Sequence, residues 1–207
     1  MITFVKKVLK KLFGISHNHA DDLIVEEWEA AGKPLPPPHQ VKRRAILKAR
    51  KQTGNKILVE TGTYTGEMVN AQKDHFKKIY SIELGDDLYA SAVENFKNYP
   101  HISILHGDSG QVLKYLMPLI NEPAIFWLDG HYSAGITAKG VKECPIYEEL
   151  VAIFNGKPLA HTLLIDDARL FVGQNDYPTT DELIREIKNN RPQAEVYCDS
   201  DIIHVFL

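Results

Sequence analysis

Between residues 56 and 207, short apolar runs alternate with segments whose apolar residues recur every three or four positions, a pattern that predicts strands separated by helices. Lys56 to Val59, Lys78 to Ile82, His101 to Leu105, Ala124 to Leu128 and Thr162 to Ile165 read as the first five strands. Their cores are close to continuous in apolar residues, as expected of parallel strands covered on both faces. The intervening helices are predicted from Gly66 to about His75, after Asp86-Asp87 with Leu88, Ala92 and Phe96 at four-residue spacing, and from an Asp108 or Ser109 cap to about Leu116. A further helix carries Ile146, Leu150 and Phe154 on one face, and another runs from Asp181 to Lys188 behind Thr179 and Glu182 in capping-box spacing. The closing runs, Glu195 to Cys198 and Ile202 to Phe206, are joined only by Asp199-Ser200-Asp201. So short a turn holds no crossover, and the last strand must run antiparallel. The expected architecture is a three-layer α/β/α sandwich around a mostly parallel, seven-stranded sheet with an antiparallel last strand.

The first 53 residues read differently, as an N-terminal helical appendage with a Pro-rich linker, followed by a domain spanning 54 to 207. Over Met1 to Phe13, Ile2, Val5, Val8, Leu9 and Leu12 share one helical face, and Lys6, Lys7, Lys10 and Lys11 lie largely on the other. Such a helix either lies on an anionic membrane surface or packs on the domain or on a partner subunit. Asp21 to Ala31 reads as a second helix, ended by Gly32 and the extended Lys33-Pro34-Leu35-Pro36-Pro37-Pro38 segment, and Gln40 to Lys51 as a third that leads into the domain. His17 and His19 offer two imidazoles in a polar stretch, where solvation is the ordinary outcome.

Composition narrows the setting. A chain of 207 residues that is 44% hydrophobic and 25% charged suits one sizeable α/β domain, and a net charge of -3 leaves no basic footprint for nucleic acid. Two cysteines, Cys144 and Cys198, supply neither a disulfide framework nor metal-ligand spacing, so a reducing, cytoplasmic setting is expected. No apolar stretch reaches membrane-spanning length and no cleavable leader pattern is present.

The chemistry gathers where strands end. Ile57-Leu58-Val59-Glu60-Thr61-Gly62-Thr63-Tyr64-Thr65-Gly66 is an apolar run that stops in a carboxylate and breaks into a glycine-bearing turn. Gly62 and Gly66 allow a tight turn and close approach to a ligand. A dinucleotide fingerprint wants glycine at the first, third and sixth positions, but counting from Gly62 the third is Tyr64 and the sixth is Glu67. Strand two ends in Glu83, strand three in Gly107-Asp108, strand four in Asp129 and strand five in Asp166-Asp167. Ligands of open α/β sheets sit beyond such carboxyl ends, and clustered carboxylates repel unless a cation or hydroxyl donors offset them.

Glu60-x-Gly62-x-x-x-Gly66, Ile82-Glu83, Gly107-Asp108-Ser109 and Leu128-Asp129-Gly130, with the closing hairpin, resemble the class I S-adenosylmethionine-dependent methyltransferases, over roughly residues 56 to 207. The resemblance implies a Rossmann-like fold with S-adenosyl-L-methionine as cofactor. It places Gly62 and its neighbours Glu60, Thr63, Tyr64 and Gly66 around the amino-acid part of that cofactor, Glu83 on the ribose hydroxyls, and Asp108 and Ser109 against the adenine, with Asp129 also in the cofactor site. Asp129 with Asp166-Asp167 further resembles the metal triad of the catechol and macrolide-sugar O-methyltransferases, which implies a magnesium ion that binds acceptor oxygens. Strands four and five, adjacent in such a sheet and about 4.8 Å apart, would let their terminal carboxylates share the ion. Alternation of side chains along a strand opposes this, because Asp166 and Asp167 converge only if the backbone leaves the strand there. Otherwise Asp166 lines the cofactor pocket while Asp167 caps or forms a salt bridge.

His131, just past Asp129, is the expected proton acceptor, and the Tyr132 to Gly140 stretch has the small-residue texture of a lid, with Lys139 available to an anionic acceptor. The expected activity is magnesium-assisted O-methylation of a hydroxylated small molecule, a sugar or glycoside first, with catalysis centred on Asp129 and His131. Two further expectations are a homo-oligomer and peripheral contact with the inner membrane surface through residues 1 to 13. The alternatives are a catalytically silent methyltransferase-like binding module and a nucleotide-binding oxidoreductase, which the glycine spacing disfavours.

Overall fold

A computed structural model of the chain describes residues 17–130 and 144–207. Two helices open the described chain, α1 (His17–Ala30) and α2 (His39–Thr53). They are followed by β1 (Ile57–Thr61), α3 (Glu67–Gln72), β2 (Lys78–Glu83), α4 (Asp86–Phe96), β3 (Ile102–His106), α5 (Ser109–Leu116) and β4 (Ala124–Leu128). The remainder is α6 (Ile146–Phe154), β5 (Thr162–Ile165), α7 (Thr180–Asn190), β6 (Glu195–Asp199) and β7 (Ile202–Phe206). Among the described residues the strands form one sheet in the order β3-β2-β1-β4-β5-β7-β6. β1 to β5 pair in parallel, and β7 runs antiparallel to both β5 and β6. The turn into β7 places Ser200 and Asp201 at φ 54° and 65°, the paired positive values of a tight hairpin whose twist matches its strands.

Side-chain alternation divides the core into two layers. Val59, Phe126, Leu163, Ile165 and Val205 face one way and pack with Leu113 and Leu116 of α5, Leu150 and Ile153 of α6, and Leu183 and Ile187 of α7. Leu58, Ile79, Ile125, Trp127, Leu164 and Ile202 face the other way, onto Ile46 and Ala49 of α2, Met68 and Val69 of α3, and Ala92 and Phe96 of α4. Among the described residues, three helices on each face complete the sandwich. Helix α2 therefore packs directly on the sheet, and Val25 and Trp28 of α1 in turn bury against its Val41. No helix among the described residues is long and apolar enough to cross a membrane.

Element ends differ from the sequence-based expectation by a few residues. Helix α3, expected to reach His75, stops at Gln72, where the His75 amide bonds back three residues to the Gln72 carbonyl and closes a tighter turn. Helix α1 begins four residues earlier than Asp21, at His17. β6 continues to Asp199 because that residue still pairs with Ile202 across the hairpin. Residues 1 to 13, with their basic amphipathic pattern, and the stretch from His131 to Gly140 lie outside the described residues.

Register sets up the site. Thr61 pairs with Leu128, and Leu128 with Ile165. The residues that follow these partners, Gly62, Asp129 and Asp166, thus leave the sheet side by side, where β1 has β2 on one flank and β4 on the other. That is the point at which strand order reverses.

Candidate active site

The turn after β1 is built on left-handed backbone: φ is 84° at Gly62, 49° at Tyr64 and 78° at Gly66. A β-carbon on Gly62 would stand 2.5 Å from the Asp129 carbonyl oxygen, so only glycine lets the two strand ends approach this closely. The amides of Gly62 and Thr63 both donate to the Ile82 carbonyl, at 2.9 and 3.1 Å, which ties the turn to the end of β2. Glu83 completes the tie, since one carboxylate oxygen accepts from the Tyr64 amide at 2.7 Å and the other from the Gly85 amide at 2.8 Å.

Beneath the turn, Glu60 is buried and accepts a 2.5 Å hydrogen bond from the Ser81 hydroxyl, which also contacts the Thr63 hydroxyl at 2.6 Å. Burial pushes the Glu60 carboxyl up to about 8, against the lowering effect of the Ser81 hydrogen bond and with help from the charges of Asp129 and Glu83. At neutral pH it is thus mainly a neutral, hydrogen-bonding floor to the turn.

The ends of β3 and β4 are joined through a residue that sequence reasoning passed over. Asp108 is the N-cap of α5 and accepts from the Gln111 amide at 3.1 Å. The Ser109 hydroxyl points inward and donates to Glu149 of α6 at 2.6 Å. Glu149 is only 2% exposed, and burial raises its carboxyl to about 7 even though Ser109 and Thr61 both hydrogen-bond to it. Asp129 is anchored beside it, its amide 3.1 Å from the Thr61 hydroxyl. A β-carbon on Gly130 would come within 2.9 Å of Glu149 Oε1, so the backbone after Asp129 lies directly against this network. Glu149 did leave a sequence signal, a carboxylate three residues after Ile146 and next to Leu150 on the apolar face of its helix.

At the end of β5 the backbone leaves the strand at once. Asp167 adopts φ 56° and ψ 47°, the left-handed region that aspartate tolerates better than most residues. This overcomes the alternation that would otherwise separate the two aspartates: ligand atoms of Asp129, Asp166 and Asp167 lie within 4.8 Å of one another. The Asp167 amide donates to Asp166 at 2.8 Å, which fixes the bend.

Among the described residues, Lys42 and Arg169 attend this cluster. The Lys42 ammonium, from α2, donates to Asp166 at 2.5 Å and to Asp167 at 3.1 Å. Arg169 bonds Asp167 at 2.8 Å and also pairs with Asp201. Burial and the charge of Asp129 push the Asp166 carboxyl up, while Lys42 pulls it down. Burial likewise disfavours the Lys42 ammonium, but the charge and hydrogen bond of Asp166 outweigh it and leave the lysine pKa raised. His39, at the start of α2, is also within reach of these charges; burial lowers its pKa, with Glu67 and Asp129 opposing. A small cavity bounded by Leu128, Ile146, Ile165, Phe171 and Tyr177 adjoins Asp129 and Asp166 and gives the acidic cluster an apolar wall.

Comparison by sequence matches no protein-family model and no curated protein. Solved structures do match. The O-methyltransferase TomG from Streptomyces achromogenes, in complex with SAM, is similar over 98% of this chain and 95% of its own, with a TM-score of 0.59 and 12% identity. An SAH-bound methyltransferase from Podospora anserina, PaMTH1, matches over 98% and 93% with a TM-score of 0.56 and 17% identity. An O-methyltransferase from Bacillus cereus, in complex with SAH, matches over 100% of both chains, with a TM-score of 0.56 and 14% identity. The fold is that of the class I methyltransferases. Within this methyltransferase fold, Glu60, Gly62, Thr63, Tyr64, Gly66, Glu83 and Asp129 lie together in and around the turn after β1, and Asp166 and Asp167 join Asp129 at the ends of β4 and β5. At the end of β3, Asp108 caps α5 through the Gln111 amide and Ser109 donates to Glu149. His131 lies outside the described residues.

Proposed function

We propose that this chain is an S-adenosylmethionine-dependent O-methyltransferase, assisted by magnesium, that acts on a hydroxyl of a small molecule, a sugar or glycoside first. One observation supports this above the others: the left-handed bend at Asp167 gathers three carboxylates beside a glycine turn that a single β-carbon would obstruct. The turn fits the methyl donor. Gly62, Thr63, Tyr64 and Gly66 with Glu60 and Asp129 would hold its amino-acid part. Glu83, whose two oxygens each accept one amide, keeps lone pairs for a ribose diol, and Asp108 and Ser109 would flank the adenine. The donor set fits magnesium, being made only of carboxylate oxygens close enough to share one ion.

When bound, the cofactor supplies an electrophilic methyl group and magnesium supplies charge that stabilises a developing alkoxide. The chain supplies placement. Asp129, Asp166 and Asp167 would fix where an acceptor oxygen sits relative to the Gly62 turn, and Phe171 and Tyr177 line the apolar side of the adjoining cavity. His131 is the proposed proton acceptor because it follows Asp129 directly.

Isothermal titration with S-adenosylmethionine, with and without magnesium, is the deciding experiment. No cofactor binding removes the reading. Cofactor binding with turnover of a sugar acceptor that chelators leave unchanged keeps the donor and removes the metal. The silent-module alternative requires cofactor or acceptor binding without turnover, and the oxidoreductase alternative requires nicotinamide binding. A cytoplasmic enzyme with peripheral membrane contact through residues 1 to 13 predicts that their removal lowers turnover of membrane-borne acceptor. Unchanged turnover removes the membrane contact.

A further inference from the structure

We infer that Lys42 is a tethered counter-ion for the Asp129, Asp166 and Asp167 cluster, one that a divalent cation must displace in order to bind. The inference rests on the metal reading above and concerns what that reading requires of the chain's own residues. The Lys42 ammonium lies 2.5 Å from one Asp166 oxygen and 3.1 Å from an Asp167 oxygen, and its side chain is only 16% exposed. A magnesium ion sits about 2.0–2.1 Å from its oxygen ligands. An ion bound by Asp166 and Asp167 would therefore have an ammonium held to the same two carboxylates as its neighbour, and the two cations repel.

The construction of the site lets the lysine yield without disturbing the rest. Ile46 and Ala49 bury α2 against the sheet, so the helix is fixed, whereas the four-carbon lysine stem has rotatable bonds to withdraw by. Asp167 stays compensated when Lys42 leaves, because Arg169 holds it independently and is itself held by Asp201. In the absence of metal, Lys42 offsets carboxylate repulsion and keeps the ligands gathered. In its presence, the cost of displacing the ammonium sets the affinity and favours a dication over a monovalent ion.

The test compares wild type, Lys42→Met and Lys42→Arg as full-length proteins saturated with S-adenosylhomocysteine, with free Mn2+ read by electron paramagnetic resonance. Lys42→Met keeps the stem and removes the charge, and should bind Mn2+ about tenfold more tightly than wild type or better. Lys42→Arg keeps the charge and should remain as weak as wild type. Equal or weaker binding by Lys42→Met, or a gain by Lys42→Arg as large as that of Lys42→Met, overturns the inference alone. Binding by none of the three overturns the metal reading with it. Where Lys42→Met fails to fold, the lysine side-chain nitrogen resonance of wild type answers the same question. It should shift as Mg2+ is added, and a resonance unmoved at saturating Mg2+ overturns the displacement.

Discussion

At Gly62 the backbone is left-handed, at φ 84°, and the space where a methyl group would go is taken by the Asp129 carbonyl oxygen. Left-handed geometry costs an ordinary residue about 1–2 kcal/mol, and crowding fixed backbone adds about 1–3 kcal/mol. Gly62→Ala should thus lose roughly 2–5 kcal/mol of stability in urea unfolding, and with it the spacing between the ends of β1 and β4. A variant as stable as wild type would show that the turn can open. Glu149 makes a second case, through charge. Its carboxyl is raised from 4.5 to about 7, chiefly by burial, so between those values the folded chain holds a proton that the unfolded chain has released. Stability from this group is complete below 4.5 and declines as pH rises through about 7, at a slope of up to about 1.4 kcal/mol per pH unit. Glu149→Gln can still bond Ser109 but cannot ionise. Its stability relative to wild type should therefore improve between pH 5 and pH 7, and a pH-independent difference in urea unfolding would count against a buried, protonated Glu149.

Helix α2 shows most clearly what an element contributes and what its sequence conceals. Ile46 is fully buried among Leu58, Trp127 and Leu164, so Ile46→Ala should cost about 2–5 kcal/mol in urea unfolding; a change under about 0.5 kcal/mol would mean that α2 is only loosely attached. The helix was legible from its residues, but its place over β4 and β5 was not. Nothing in the spacing of Lys42 foretells a partner 124 residues away at Asp166. Legibility elsewhere follows the same physics. β4 and β5 were readable to the residue because both faces of a central strand are buried, which marks their full length in apolar side chains. β6, with a largely exposed pattern, has no such marking, and its last residue was missed. That Glu60, Glu83 and Asp129 lie at or near strand ends could be read because strand end, turn and carboxylate adjoin in sequence. The convergence of Asp166 with Asp167 depends on one left-handed residue, which composition permits but does not announce.

Both core layers are sides of a single sheet, and the proposed cofactor site lies on the ends of its central strands, so a ligand there should stabilise the whole chain. Unfolding either layer removes β1 and β4 and with them the Gly62 turn. A ligand at one hundred times its Kd that binds only the folded form contributes about 2.7 kcal/mol. In a domain of 150–250 residues each kcal/mol moves Tm by about 2–4 °C. S-adenosylhomocysteine should accordingly raise the Tm of this 207-residue chain by roughly 5–11 °C in one cooperative transition, while NADH leaves it unmoved. Glu83→Ala provides the internal control. It removes the acceptor for the Tyr64 and Gly85 amides, so it should lower the Tm without ligand and also shrink the shift that S-adenosylhomocysteine produces. A lowered Tm with the full shift retained would assign Glu83 to the turn alone. A shift with NADH in place of S-adenosylhomocysteine would move the site to another cofactor, against Tyr64 standing where a dinucleotide turn needs glycine.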